Sequence, residues 1–502
     1  MSVPNLIFTA PERELRSPFA TTLRAGPVTL DFVDGDLRHL RAGGEELIRR
    51  ITFNVRHHKW DTADWRLQSF RLQQQTDSFS LHFSAACEIV GARYTWSADV
   101  FGEEDGTLTY SVSGVAHADS AEIRRAGLNL LYANECVLGQ PFETTHLDGK
   151  VVQHTFPELV PSHHLPAMDF SKIAHRTRGG ALVTAEISGS HFGLEDQRVA
   201  GDSSFKAFSG LRHTYAPALL KGDRAEKTLT LRVSNLPTGA SESKATLVTL
   251  SAASSARLPQ LSPARRQENY GVFHEVSRRP AAKNGIFLDV NLASAKSYGA
   301  RSLTWGWYPT VNLYDDAMVM DNACSIAGQL LSARRFAPDA RLRIDPIALE
   351  SLHPRADPRD PRNDSPFAAA WLVAATKHLA LGGAHEAAFA LDGPYARAVL
   401  DALTRYVECA VRDATVASEG PAPVTAFALE IKSGLALWLA NLTAETQPLN
   451  LAALPATTAF NIHRLHTTTG AAFREFPGGF TDTTGCASLR LAPHEVCALV
   501  LD

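Results

Sequence analysis

The sequence predicts a multidomain protein of mixed α and β class: an N-terminal antiparallel β-sandwich, a middle of alternating strands and helices, and a small C-terminal β-domain. Three observations predict it. Up to about residue 235 the chain repeats short runs that alternate apolar and polar residues, such as GTLTYSVSGVA and KTLTLRVSN, with turn signals between them. Beyond residue 267 the period changes, and β-like runs alternate with helix-like ones. After the break at ATVASEGPAP the chain goes back to strands.

In residues 1–235, PVTLDFV, SFSLHFSAACEIV and ALVTAEIS read as strands, and Asp34-Gly35, Gly43-Gly44 and Asp105-Gly106 supply the positive-φ positions that tight hairpins need. RAGGEEL precedes a strand and not a helix, so it reads as a hairpin turn and not as a phosphate loop. Residues 236–267, rich in Ser, Ala, Pro and Thr, read as a linker holding one strand, ATLVTL. Residues 268–412 carry strand candidates at about 286–290, 301–307, 341–346 and 385–391, and helix candidates at about 322–336, 365–381 and 394–412. That rhythm is the one of a parallel sheet covered by helices. Residues 413–502, with GLALWLANLT and CASLRLAPHEVCALVLD, read as the small β-domain.

Composition narrows the function classes. With 49 Lys+Arg against 53 Asp+Glu and no block of basic residues, the chain lacks the electrostatic footprint of a nucleic-acid binder. It has no run of about eighteen apolar residues, so no membrane partner is expected. The opening MSVPNLIFTAPERELRSPF has no basic segment followed by an apolar one, and a cytoplasmic location is expected. Cys87, Cys136, Cys324, Cys409, Cys486 and Cys497 are scattered without CxxC spacing, which predicts reduced, mostly buried thiols. The NLT at 441–443 matches a glycosylation sequon, a chance match in that setting.

Several separated stretches carry a resemblance. They are DLRHLRAGGEELIRRITFNVRHHKWDT (36–62), RRAGLNLLYANECVLGQPFETTHLDGKVVQHTFPELVPS (124–162), GLEDQRVAGDSSFKAF (193–208), YPTVNLYDDAMVMDNACSI, LRIDPIALESLHPRADPRDPR and GLALWLANLT. In this order they resemble the bacterial D-apionate lactonases, a family that combines an N-terminal β-domain, a TIM-barrel-like middle and a C-terminal β-domain. Val199 and Ala200 stand where the family pattern has an aromatic residue and an Asn, and Asn312 where it has a His. The resemblance makes the middle a partial (β/α) barrel. Residues 268–412 are too few for the roughly 250 residues of a complete (β/α)₈ barrel, and four parallel strands are too few to close one. An open sheet with two edges is therefore expected, each edge covered by a flanking domain, by the linker or by a partner in a homodimer.

Three groups of residues are candidates for chemistry. Glu195, Asp196, Arg198, Asp202 and Lys206 crowd one segment after a predicted strand. In a lactonase, Glu195 and Asp196 would accept from sugar hydroxyls or activate water, while Arg198 and Lys206 would hold a carboxylate or a lactone carbonyl. The same charges also suit a salt-bridged crossing between sheets. Asp315, Asp316, Asp321 and Asn322 follow the strand SLTWGWYP and precede a helix, where a barrel presents its C-terminal face. Asp315 and Asp321 would be catalytic there and Asp316 and Asn322 substrate-binding, although Asp321 or Asn322 would equally cap a helix beginning near Ala323. Asp345 and Asp392, at strand ends, read as turn formers. The histidines His57, His58, His146, His154, His163, His164 and His191 do not converge at ligand spacing, and neither a metal nor any other cofactor is expected. No G-x-S-x-G elbow is present. The resemblance implies hydrolysis of a sugar-acid lactone such as D-apionolactone in carbohydrate catabolism, with a small carbohydrate or sugar lactone as partner. The other readings are a non-catalytic carbohydrate- or partner-binding relative that has lost half of the barrel, and a glycoside hydrolase.

Overall fold

The computed structural model describes residues 6–9, 20–57, 62–89, 91–120, 123–210, 220–236, 246–252, 254–264, 285–292, 299–310, 313–350, 359–417 and 421–501. His58 and Asn312 lie outside the described residues. Two compact units form, the first from Met1–Glu158, His163–Gln197 and Ser204–Ser241, the second from Leu159–Ser162, Arg198–Ser203 and Glu242–Asp502.

The described strands of the first unit join in one sheet, and their pairings are antiparallel. Alternation does what the sequence requires of it: Leu108, Tyr110, Val112, Gly114 and Ala116 of one strand are buried, and Thr109, Ser111, Ser113 and Val115 between them are not fully so. The sheet folds over on its own apolar side. Phe53, on a strand bonded to Asp36–Ala42 and Ile123–Ala133, packs its ring 5.3 Å from Trp96 and 6.2 Å from Tyr94 of a strand with other neighbours. Phe32 meets Phe70 and Phe83 in the same way, at 5.9 and 5.5 Å. Asp34 and Gly35 (φ 50° and 96°), and Gly43 and Gly44 (φ 61° and 78°), make the tight hairpins their sequence predicts.

Among the described residues, the second unit holds a four-stranded parallel sheet in the order Gln260–Pro263, Glu386–Phe389, Arg341–Ile347, Ser302–Trp307. Ile286 adds a single parallel bridge to Gly306 beyond the last strand. Among the described residues these strands do not close into a ring. Helices Ser325–Phe336, Pro366–Leu381 and Pro394–Leu403 cover the sheet, and Trp307 stacks on Trp371 of the second of them at 5.2 Å. Among the described residues, a nine-stranded sheet around Ala426, Leu437, Leu439 and Leu499 belongs to the same unit.

Four local expectations change. The apolar run at 286–290 is not a strand: Phe287–Leu292 is helical, buries Phe287, Val290 and Asn291, and Asp289 accepts from the Ile286 N–H at 3.1 Å. A five-residue apolar run does not distinguish strand from buried helix. The helix expected over 394–412 stops at Leu403, where the buried series Ala396, Val399, Leu400, Leu403 ends. The stretch read as a linker supplies two strands, Thr246–Leu250 beside Gln447–Ala452 and Gln260–Pro263 beside Glu386–Phe389. Asp345 does not end its strand but lies inside Arg341–Ile347, before a cis peptide to Pro346. Among the described residues, no helix is long and apolar enough to cross a membrane.

Candidate functional site

In the first unit the strands Phe192–Asp196 and Ser204–Ser209 place Glu195 directly opposite Lys206. Directly opposed side chains of an antiparallel pair share a face. Lys206 Nζ lies 2.9 Å from Glu195 Oε2, Gln197 Nε2 donates to the same oxygen at 3.0 Å, and His164 Nε2 is 4.0 Å from Oε1. Burial works against the charge on Glu195. Lys206, Arg125 and Arg56 outweigh it and hold the carboxyl well below the usual carboxylate range. Burial lowers Lys206 first of all, Arg56 and Arg125 add to that, and Glu195 pulls the other way. At neutral pH the pair is ionic, and three cations gather about one glutamate. Asp196, fully buried, donates its N–H to the His164 carbonyl at 2.9 Å.

Arg198 and Asp202 belong to the second unit, and there the charged segment has a structural task. Arg198 is 2% exposed, and its stem lies against Gly328, where even a Cβ would come within 3.1 Å of the Arg198 Cδ. Two relays fix the backbone, one at Arg198 itself and one at Gly201. Trp305 Nε1 donates to Gln329 Oε1 (2.8 Å), whose Nε2 donates to the Arg198 carbonyl (2.6 Å). Trp307 Nε1 donates to Ser325 Oγ (3.1 Å), which donates to the Gly201 carbonyl (2.6 Å). Gly201 has φ 113°, and a Cβ there would meet the Tyr308 carbonyl at 2.7 Å, so both conformation and space call for glycine.

Asn322, wholly buried, ties the same segment down. Its Nδ2 donates to Asp202 Oδ1 (2.9 Å) and to the Pro309 carbonyl (2.8 Å), and its Oδ1 accepts from Ser203 N–H (2.9 Å). The Asp321 carbonyl accepts from Ser203 Oγ at 2.8 Å. The helix cap expected at Asp321 or Asn322 sits earlier, because the helix begins at Asp316: Asp315 is its N-cap and accepts from Met318 N–H at 3.2 Å. Asp316 is well exposed and pairs with Arg362 at 3.2 Å. Arg362 also holds Asp360 and the Tyr314 carbonyl and lies over the Phe367 ring.

The structure therefore brings Glu195 to Lys206, Asn322 to Asp202 and Asp316 to Arg362. Sequence reasoning missed Arg56 and Arg125, although RRITFNVR already alternates polar and apolar residues along a strand. It also missed Glu350, which is 5% exposed just beyond the strand Arg341–Ile347 and accepts from Asn363 Nδ2 at 2.9 Å. Among the described residues, no group of three or more His, Cys, Asp or Glu side chains is arranged to hold a metal ion.

Comparison with known proteins adds the following. Models of the D-apionate lactonase N-terminal domain, of its TIM barrel domain and of its C-terminal immunoglobulin-like domain match residues 9–236, 281–425 and 421–499. A D-apionate lactonase from Brucella anthropi is 30% identical over 207 residues, 41% of this chain and 33% of that protein, so the match spans about a third of the relative's length. Among solved structures, a Paenibacillus polymyxa xyloglucanase of glycoside hydrolase family 44 is similar over 40% of this chain and 46% of its own (10% identity, TM-score 0.33). A family 44 endoglucanase from Clostridium thermocellum is similar over 40% and 47% (13% identity, TM-score 0.32). At that level of likeness neither fold nor chemistry follows.

Proposed function

The chain belongs to the D-apionate lactonase family, and on that premise we propose that it hydrolyses a sugar-acid lactone, D-apionolactone or a near relative, in carbohydrate catabolism. The observation that carries this reading is the succession of three domains of one lactonase family along a single chain. Opening a lactone needs an activated water and a positive group for the charge that develops on the carbonyl oxygen. Within the first unit, Lys206, steered by Glu195, is the proposed partner of that oxygen; Asp196, fully buried and opposite Phe205, belongs to the other face of the strand. A separate candidate lies wholly within the second unit, with Asp315, Asp316 and Asp321 proposed as contacts for substrate hydroxyls and Arg198 and Asn322 as positioning residues. The domain division proposed from the sequence accompanies this reading, with the strand Gln260–Pro263 moved from the linker to the barrel arc. A homodimer is proposed as the cover for an open sheet edge, and light scattering on the purified protein tests it.

Lactone opening releases a proton, so a pH-indicator assay over a panel of aldonolactones tests the function. Turnover of at least one aldonolactone, lost in Lys206→Met, is the expected result. A folded protein that turns over none of them would leave the non-catalytic, carbohydrate-binding reading in its place. Aryl glycosides in the same plate test the glycoside hydrolase reading, which the family does not favour.

A further inference from the structure

In the first unit, among the described residues, the strand Val151–Thr155 pairs on one side only, with Pro141–His146, which takes Ala167–Arg176 on its other side. The phase of that ladder is fixed at both ends: the His146 N–H donates to the Lys150 carbonyl at 2.9 Å, and the Phe156 N–H to the Gln140 carbonyl at 3.0 Å. Hydrogen-bonded pairs alternate along an antiparallel ladder, so Val152 and His154 bond inward, and the N–H and C=O groups of Val151, Gln153 and Thr155 point away from the sheet. Among the described residues these outward groups have no backbone partner. The strand is nevertheless held firmly in place. The His154 ring stacks on Phe142 at 4.7 Å and its Nε2 lies 3.0 Å from Thr144 Oγ1, while Gln153 Nε2 donates to Glu143 Oε2 at 2.5 Å.

An open edge is a template for another strand, and chains that stay apart blunt it with charge, proline or a bulge. The edge strand Arg474–Phe480 of the second unit shows all three: Arg474 and Glu475, Pro477, and a register shift between Phe476 and Gly479. Val151–Thr155 reads VVQHT and pairs without a shift; it has no Lys, Arg, Asp or Glu, no proline and no bulge. The symmetry of this edge says what covers it. Set antiparallel against itself about Gln153, the strand places Val151 opposite Thr155, Gln153 opposite Gln153 and Thr155 opposite Val151, all of them outward-pointing residues. Each pair then exchanges two N–H to C=O bonds, and no charge meets its like. Val151, Gln153 and Thr155 are exposed, Val151 at 51%. The exposed leucines fall about the same centre: Leu147, 60% exposed, precedes Gln153 by six residues, and Leu159, 37% exposed, follows it by six. In this register each copy's Leu147 comes to the end of the strand that the partner's Leu159 follows.

We propose that Val151–Thr155 is the seam of a two-fold dimer, in which two copies of the chain join their sheets antiparallel about Gln153. A seam of five residues is a small interface, so the dimer forms reversibly and in the micromolar range. Sedimentation of the full chain from about 1 to about 100 μM should show the mass climbing from 54.4 kDa toward twice that. Val151→Lys combined with Thr155→Lys sets Lys against Lys at both ends of the seam and changes exposed side chains alone. It should weaken the dimer by about tenfold or more, with the circular dichroism of the parent. Val151→Glu combined with Thr155→Glu should do the same by itself. An equimolar mixture of the two double variants should restore a dimer with one copy of each, a rescue that a merely damaged fold does not give. A chain that stays monomeric throughout this range would overturn the proposal. A dimer that both double variants leave intact would overturn it too, and would assign the contact to another surface such as the edge of the parallel sheet.

Discussion

Replacing His175 by phenylalanine should remove much of the acid sensitivity of the first unit. The imidazole is 2% exposed on the strand Ala167–Arg176, edge-on to Tyr132 at 4.9 Å and to Phe156 at 5.8 Å, and neither ring nitrogen has a partner among the described residues. Burial pushes it down from 6.5 to about 3. Between those values the unfolded chain takes up a proton that the folded chain refuses, so acid favours unfolding across that window, and the penalty is absent above it. From pH 6.5 to about pH 5, roughly 1.4 kcal/mol per pH unit amounts to about 2 kcal/mol. His175→Phe keeps the ring's shape and its aromatic contacts while taking away the titration and the two unpartnered nitrogens. The variant should therefore also gain about 1 kcal/mol at neutral pH. Urea unfolding followed by tryptophan fluorescence, at about pH 7.5 and about pH 5, gives the two stabilities. The parent should lose about 2 kcal/mol more than the variant between them. His378, which desolvation lowers to about 3, titrates in both proteins and cancels in the comparison. Equal losses would refute the reasoning and mean that His175 is solvated or paired in solution.

Asn322→Ala should destabilise the second unit by about 3 kcal/mol, because it strands the buried Ser203 N–H and removes the amide's hydrogen bonds to Asp202 and to the Pro309 carbonyl; thermal melting measures it. Gly201→Ala should cost about 2 kcal/mol or more, from its positive φ and from the Tyr308 carbonyl in the way of a Cβ, and a melting temperature equal to the parent's would contradict both causes. Arg198→Ala should lower stability along with any activity, since the side chain is buried; lost activity at an unchanged melting temperature would instead place it at the substrate. Incubation with EDTA should leave lactone turnover unchanged, and restoration by an added divalent ion after such treatment would show a metal requirement.

The strand half of the fold was legible because its signals are local. Asp34-Gly35 and Gly43-Gly44 announce hairpins, and Leu108 to Ala116 alternates cleanly. The short parallel strands were harder. Gln260–Pro263 has four residues in Ser- and Pro-rich surroundings, and only its pairing to Glu386–Phe389, far along the chain, makes it a strand. In the candidate site, the charge density of 195–206 was visible, but its division was not. Glu195 and Lys206 face each other across two strands, whereas Arg198 and Asp202, a few residues along, serve another core. Arg56 and Arg125 escaped notice because register, and not sequence spacing, makes them neighbours.

The position of Gln260–Pro263 also bears on the expectation that the parallel domain is a shortened barrel. First in the chain among its parallel strands, it sits beside the last, Glu386–Phe389. In a ring of strands that neighbourhood is the seam at which the two ends of the chain meet. On the reading of this domain as a shortened barrel, that pairing is the kept seam, and the shortening is proposed to be internal to the domain and not a loss from either end. The stretch 265–284 is shorter than the roughly 30 residues of one βαβ unit. The two flanking positions are thus the natural splice sites for an engineer: β/α units inserted there would extend the arc from within, whereas residues appended after the final helix would have no edge to continue.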